Sequence, residues 1–147
     1  MMQKDIIAIV QKILSPWTRS LQLMIGRCVL EAVDDSTGIQ VAKLSLLYGE
    51  TSEMERMQNY GFTSVPKTDT EGVAVFVGGN REHGICLVID DREFRLKNLG
   101  EGHVAMYDTL GNNILLKNNG EIVVTASAKV TVNSPVVELG SGTREKF

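Results

Sequence analysis

The chain has 147 residues, of which 43% are hydrophobic and 22% are charged, and its formal net charge is -3. This composition is typical of a folded globular protein and excludes intrinsic disorder. The acidic pI of about 5.4 argues against a protein that holds nucleic acid by neutralising its phosphates. No apolar stretch approaches the roughly 20 residues that span a bilayer, and the first residues do not resemble a secretory signal.

The N-terminal residues predict a helix, which we assign to residues 1–19. Six aliphatic side chains between Lys4 and Trp17 recur near helical spacing, and Pro16 is expected to end the helix. Two alternatives stay open for its apolar face. The helix packs on the domain that follows, or it docks on a neighbouring subunit.

Residues 20–98 predict a small β-barrel. The extended patterns are Leu21–Val33, Ile39–Leu46 with a bulge after Val41, and two continuous apolar runs at 73–77 and 85–89. The segment 49–66 reads as a long loop with room for one helical turn. Four to five strands of this kind suit a closed barrel of the OB type. Cys28 and Cys86 lie inside apolar runs, so buried free thiols are favoured over a disulfide.

Residues 99–147, which we call the shaft, repeat apolar pairs on one strand face with a step of eight. After Pro135 the apolar pattern moves to odd positions, because proline marks a bulge or corner. The residues of this pattern are Ile114, Leu116, Ile122, Val124, Val130, Val132, Val137 and Leu139.

One chain cannot bury this shaft pattern by itself. The repeat covers about forty residues, which gives too few coils to enclose a core, and an exposed flat edge would remain. Three chains around a common axis would bury each apolar side chain against its two symmetry mates. We therefore predict a homotrimer with an intertwined triple-stranded β-helix, and we assign the eight apolar residues to its axis. An ordinary C-terminal hairpin packed on the barrel is the alternative.

The order of motifs in this chain resembles that of the spike proteins of contractile-tailed phages. The shaft carries Gly102-His-Val-Ala-Met-Tyr-Asp108, then Gly111-Asn-Asn-Ile-x-Leu116, then Gly120-Glu-Ile-x-Val124. The upstream segment Val73–Gly84 resembles the Mu-like subgroup of baseplate spikes. The resemblance extends over roughly Leu21 to Gly142.

This resemblance implies a function and a set of partners. Such a protein is a trimeric spike of the virion, made in the host cytoplasm, which contacts a hub protein beneath the tail tube. Sheath contraction drives it through the host outer membrane as a rigid body, without covalent chemistry. No nucleic acid is expected among its partners.

One departure from the family concerns the tip. Spikes of this family commonly end in a His-x-His motif that holds iron at the apex, whereas this chain has only His83 and His103. We therefore expect no metal and no other cofactor. The tip is expected to come from residues missing after Phe147 or from a separate small protein, and we favour the first.

The motifs of common enzyme classes are missing from the sequence. There is no Gly-x-Ser-x-Gly and no phosphate-binding loop, and Gly78–Gly84 joins two strands as a hairpin turn would. The alternatives to a spike are a glycan-binding tail fibre or adhesin shaft and an OB-fold binding module. Both use exposed aromatic side chains. Between Gly102 and Phe147 the one such candidate is Tyr107.

Overall fold

The computed structural model of the protein describes residues 2–138 and 140, and these divide into two compact units. The first unit ends at Arg95 and the second begins at Leu96. The described residues form a mainly β protein with one α-helix. Its elements are α1 (Met2–Gln22), β1 (Ile25–Asp34), β2 (Val41–Ser45), β3 (Thr51–Arg56), β4 (Glu71–Phe76), β5 (Gly84–Asp90), β6 (Val104–Tyr107), β7 (Asn113–Leu116) and β8 (Ile122–Thr125).

Helix α1 continues past Pro16 to Gln22, so the prediction that proline ends it is wrong. A proline inside a helix leaves the carbonyl four residues earlier without its N–H donor. Here that carbonyl belongs to Lys12, and the Ser15 hydroxyl donates to it at 3.1 Å. This bond replaces the missing one and lets the helix continue. Within the described residues, no helix is apolar enough over a sufficient length to cross a membrane.

The first unit contains the predicted small closed barrel. Its strands follow the order β1-β2-β3-β5-β4, and β4 pairs with β1 to close the ring. All neighbouring strands are antiparallel except β3 and β5, which run parallel. The polar segment that begins after β5 makes one helical turn, in which the Arg95 amide donates to the Asp91 carbonyl at 3.0 Å.

Strand β3 was not predicted, because its sequence lies within the segment assigned to a long loop. The strand spans Thr51–Arg56, and Met54 is its only large apolar residue and its only buried one. Pairing with β2 and β5 uses the backbone, which carries the same donors and acceptors in every residue. The main-chain ladder therefore holds a polar sequence in the barrel wall.

The predicted bulge after Val41 is also misplaced. The inward side chains of β2 alternate without interruption, because Ala42 and Leu44 are buried and the pairing with β3 is regular. The irregularity lies across the ladder in β1, between Leu30 and Ala32. The extra residue is Glu31, whose side chain forms an ion pair with Lys43 at 3.3 Å. A bulge bends its strand and increases the local twist, which helps a short sheet to close.

The barrel core is built from side chains at alternate positions of the strands. It consists of Cys28, Leu30, Ala42, Leu44, Leu46, Met54, Ala74, Phe76 and Cys86. Both cysteines are free and buried, as predicted. A hydrogen bond with Cys86, together with burial, raises the pKa of the Cys28 thiol far above its usual range. The protonated thiol therefore acts as a small apolar core group.

The second unit contains a three-stranded antiparallel sheet in the order β6-β7-β8. Its strands begin at Val104, Asn113 and Ile122, every nine residues, while the apolar pairs of β7 and β8, which start at Ile114 and Ile122, are separated by the predicted eight. Each unit consists of four strand residues and a five-residue turn. Residues 126–138 of the described chain contain no strand, although Val130 and Val132 continue the apolar pattern.

Candidate assembly surface

Two turns of similar construction hold the shaft sheet in register. In the first, the Asp108 amide donates to the Asn112 carbonyl at 3.1 Å, and in the second the Lys117 amide donates to the Glu121 carbonyl at 2.9 Å. Gly111 and Gly120 have φ values of 83° and 87°, a left-handed conformation that glycine adopts without a steric penalty. Each glycine is the fourth residue of its five-residue turn.

Polar side chains stabilise the first turn and connect it to the segment that follows β8. The Asp108 carboxylate accepts hydrogen bonds from the amides of Leu110 and Asn112, both at 2.9 Å. The Asn112 side-chain oxygen in turn accepts one from the Ser127 amide at 2.7 Å. The chain that leaves β8 is therefore tied to the turn between β6 and β7.

The register places six large apolar side chains of the shaft together on one face of the sheet. Ile114 of the central strand lies opposite Val124 of β8, and Leu116 lies opposite Ile122. On the other side Ile114 and Leu116 lie opposite two residues of β6. The face, which we call the shaft face, consists of Val104, Met106, Ile114, Leu116, Ile122 and Val124.

No residue of the described ranges 2–138 and 140 covers the shaft face. Its six side chains are between 36% and 68% exposed. Val130, outside any strand, lines a groove of about 570 Å³ together with Met106, Ile114 and Val124. Contiguous apolar surface of this kind marks a site where a protein contacts another molecule.

The predicted axis residues thus fall into three groups. Four of them, Ile114, Leu116, Ile122 and Val124, share the shaft face. Val130, Val132 and Val137 are exposed and lie after β8. Leu139 lies outside the described residues. A trimer axis cannot be tested on one chain, so the axis assignment stays a prediction.

Sequence reasoning missed Val104 and Met106. Their strand, β6, contains only these two residues on the apolar face, which is too short a pattern to identify a strand by itself. The signal that could have found them is the Asp-x-x-Gly-Asn turn that follows. A turn of this composition indicates a hairpin, and Val104 and Met106 have the parity that the hairpin requires.

The opposite face of the shaft sheet is different in character. It mixes apolar and polar side chains, with Leu115 and Val123 half-buried beside Asn113 and Thr125, and Tyr107 is the one aromatic residue of the described shaft. A row of aromatic side chains, which the adhesin alternative requires, is not present on these described residues.

The two histidines are not part of the shaft face and lie apart from each other in the sequence. His103 lies one residue before β6, and His83 lies in the loop between β4 and β5. Among the described residues no three His, Cys, Asp or Glu side chains cluster to hold a metal ion.

A second exposed surface is the loop between β3 and β4. Residues 57–66 contain no charged side chain, and Tyr60 and Phe62 extend into solvent. The loop is nevertheless fixed at its base, where the Arg56 guanidinium donates to the Ser64 carbonyl at 2.7 Å. The buried Gln40 side chain also donates to that carbonyl, at 3.1 Å.

The turn carboxylates make folding of the shaft sensitive to acid. The side-chain amide of Asn112 and neighbouring main-chain amides hold the pKa of Asp108 below its usual range. The Lys117 ammonium, at 2.7 Å, does the same for the pKa of Glu121. Because both pKa values are lowered by folding, their stabilising effect is complete above the unfolded values near 4 and is lost as pH falls through the folded values.

We expect the free energy of unfolding to be nearly constant between about pH 7 and pH 5 and to decrease below about pH 4. Urea unfolding of the full chain at a series of pH values measures this. The Asp108→Asn variant should be less stable at neutral pH and should lose less stability on acidification. An equally steep acid decrease in that variant would show that Asp108 does not contribute to it.

The described residues define a mainly β protein in which a small closed barrel is followed along the chain by a sheet with an exposed apolar face. Residues 27–93 match the family model described as "Bacteriophage Mu Gp45, N-terminal". The chain is 35% identical to the "Baseplate puncturing device gp45" of Escherichia phage Mu, and the alignment covers 84% of this chain and 67% of that protein.

A second relative is the "Mu-like prophage FluMu protein gp45" of Haemophilus influenzae (strain ATCC 51907 / DSM 11121 / KW20 / Rd). It is also 35% identical, and the alignment covers 88% of this chain and 70% of that protein. The chain therefore belongs to the bacteriophage Mu gp45 family. The predicted resemblance to Mu-like baseplate spikes is confirmed.

Proposed function

We propose that this chain is the central spike subunit of a contractile-tail baseplate, a homotrimer that punctures the host outer membrane mechanically. Family membership and the name of the phage Mu relative, a baseplate puncturing device, support a structural role in the baseplate. The observation that carries the proposal is the uncovered shaft face. A structural role, without catalysis, is part of the same proposal.

Threefold assembly would satisfy two demands of the shaft sheet at once. Its apolar face needs a cover, which two other copies supply when the three faces meet around an axis. Its outer strands, β6 and β8, each have an edge with unpaired backbone groups. Pairing β8 of one copy with β6 of the next would close the ring and remove these edges.

The residues after β8 fit the same assembly. Val130 and Val132 continue the apolar pattern but have no strand partner in the described chain. In the trimer, strands of neighbouring copies would supply the missing hydrogen bonds and extend the shaft as an intertwined β-helix. A rod built in this way is rigid because no strand edge is left unpaired.

The remaining partners follow from this role. The barrel would contact the hub protein beneath the tail tube, and the fixed, uncharged loop 57–66 offers an aromatic surface for that contact. The shaft would meet the host outer membrane on contraction, with a tip formed by further residues or by a separate protein. We propose that the chain, with its net charge of -3, binds neither nucleic acid nor metal.

The test of the proposal is the molar mass in solution. Light scattering of the purified full chain at micromolar concentration should give three times the chain mass of 16.1 kDa. Electron microscopy should show short rods. A monomer whose β6–β8 amides are protected from hydrogen exchange would contradict the proposal, because the shaft would then be folded without neighbours.

A further inference from the structure

Helix α1 carries a second uncovered apolar surface, separate from the shaft face. At about 100° per residue, its large apolar side chains fall within an arc of roughly 160°, and the remaining arc is polar or small. They are between 46% and 71% exposed. We call this set the helix stripe, and it consists of Ile6, Ile7, Ile9, Val10, Ile13, Leu14, Trp17 and Leu21.

The first unit holds α1 at its C-terminal end and leaves the stripe open. The Ser20 hydroxyl donates to the Gly78 carbonyl at 2.6 Å, and the Phe76 amide donates to the Met24 carbonyl at 2.7 Å. The helix is therefore attached to the barrel after β4, while the stripe from Ile6 to Trp17 is exposed to solvent. The alternative that α1 buries its apolar face on its own barrel does not describe this arrangement.

The spacing within the stripe indicates what covers it. Ile6, Val10, Ile13 and Trp17 are separated by four, three and four residues, which is the spacing of helices that pack along one another. Ile6 and Ile13 occupy the d positions of this pattern, and isoleucine at d favours bundles of three or four helices over pairs. The sequence of α1 thus has the pattern of a helix that associates with copies of itself.

The width of the stripe indicates how many copies are needed. Ile7, Leu14 and Leu21 flank the core positions on one side at steps of seven, and Ile9 flanks them on the other. In a two-helix coiled coil the partner covers mainly the core positions. A helix with two neighbours also buries the flanking residues on both sides of those positions. A membrane-surface helix would instead carry many cationic side chains on its polar face. Between Ala8 and Gln22 that face carries only Lys12 and Arg19.

We propose that α1 packs with the α1 helices of two neighbouring copies as a parallel three-helix bundle at the N-terminal end of the spike. This inference rests on the threefold symmetry of the proposed function, which brings three identical stripes into one assembly. It adds a second trimer contact, built from helices, to the β contact of the shaft. The stripe is then a subunit interface and not a docking surface for the hub.

Single cysteine variants of the full chain test the bundle. In Val10→Cys the new thiol lies on the stripe, and in the matched control Ala8→Cys it lies on the opposite, polar face. The native Cys28 and Cys86 are buried and are present in both variants. With oxidised glutathione, we expect Val10→Cys to form at least five times more disulfide-linked dimer than Ala8→Cys on non-reducing gels. We also expect a maleimide to label Val10→Cys more slowly.

Two results would overturn the bundle, and they differ in what they say about the trimer. If the chain is trimeric by light scattering but Val10→Cys neither cross-links nor resists the maleimide, the bundle is absent and the proposed spike stands. If the chain is monomeric, both proposals fail together. Ile13→Cys, at another core position of the stripe, should repeat the result of Val10→Cys.

Discussion

The substitution Val124→Asp should convert the assembled protein into monomers. Val124 lies on the shaft face opposite Ile114, and in the proposed trimer it would be buried three times around one axis. Each large aliphatic side chain buried there contributes about 1.5–3 kcal/mol. The variant loses that contribution in every copy and brings three carboxylates together in an apolar environment, where they must be protonated or paired.

The neighbouring residue provides the control for this experiment. Thr125 lies on the opposite face of the same strand and is exposed, so Thr125→Asp adds the same charge away from the shaft face. Light scattering should give a monomer for Val124→Asp and an unchanged mass for Thr125→Asp. If Val124→Asp keeps the trimer mass and the parent's melting temperature, the shaft face does not lie at the axis.

The substitution Phe76→Ala should strongly destabilise the barrel without separating the subunits. The Phe76 side chain is completely buried, and the Arg81 guanidinium lies 4.0 Å from the centre of its ring. Removing a buried phenylalanine leaves a cavity and costs about 3–5 kcal/mol. For a domain of this size such a loss lowers Tm by more than about 10 °C. The proposed shaft contacts lie in the other unit and should persist.

Val77→Ala is the matched control, because Val77 follows Phe76 in the chain but is half-exposed. Its effect should be within about 0.5 kcal/mol. Calorimetry of the full chain gives the Tm of the barrel, and light scattering below that temperature gives the mass. Equal Tm values for the two variants would mean that Phe76 does not support the core, and loss of the trimer mass would mean that assembly depends on the barrel.

The parts of the fold that could be predicted are those with a local physical signal. The two apolar runs that became β4 and β5 follow from hydrophobic continuity, and the pairs on β7 and β8 follow from the alternation of apolar residues on either side of a polar turn. Strand β3 has no such signal, because its place is decided by backbone bonds to β2 and β5. The continuation of α1 through Pro16 has no signal in the apolar spacing, because the Lys12 carbonyl that the proline leaves without an amide donor is satisfied by a side chain, the Ser15 hydroxyl.

The candidate site was predictable to a similar degree. Side-chain parity was enough to put Ile114, Leu116, Ile122 and Val124 on one face, which the strand register bears out. Parity could not find Val104 and Met106, because two apolar positions are too few to define a strand. In the proposed trimer the cover of the shaft face would come from other copies, and a single chain shows this only as an exposed apolar surface.

The strand repeat of the shaft constrains how such proteins can change length in evolution. Strands begin every nine residues and alternate in direction, so the shaft face takes the first and third residues of β6 and β8 but the second and fourth of β7. The pattern returns only after two such nine-residue units. A duplication of one unit would turn every later apolar side chain to the wrong face. Functional shafts of different length should therefore differ by pairs of nine-residue units. The length of the shaft can then change only in steps of eighteen residues.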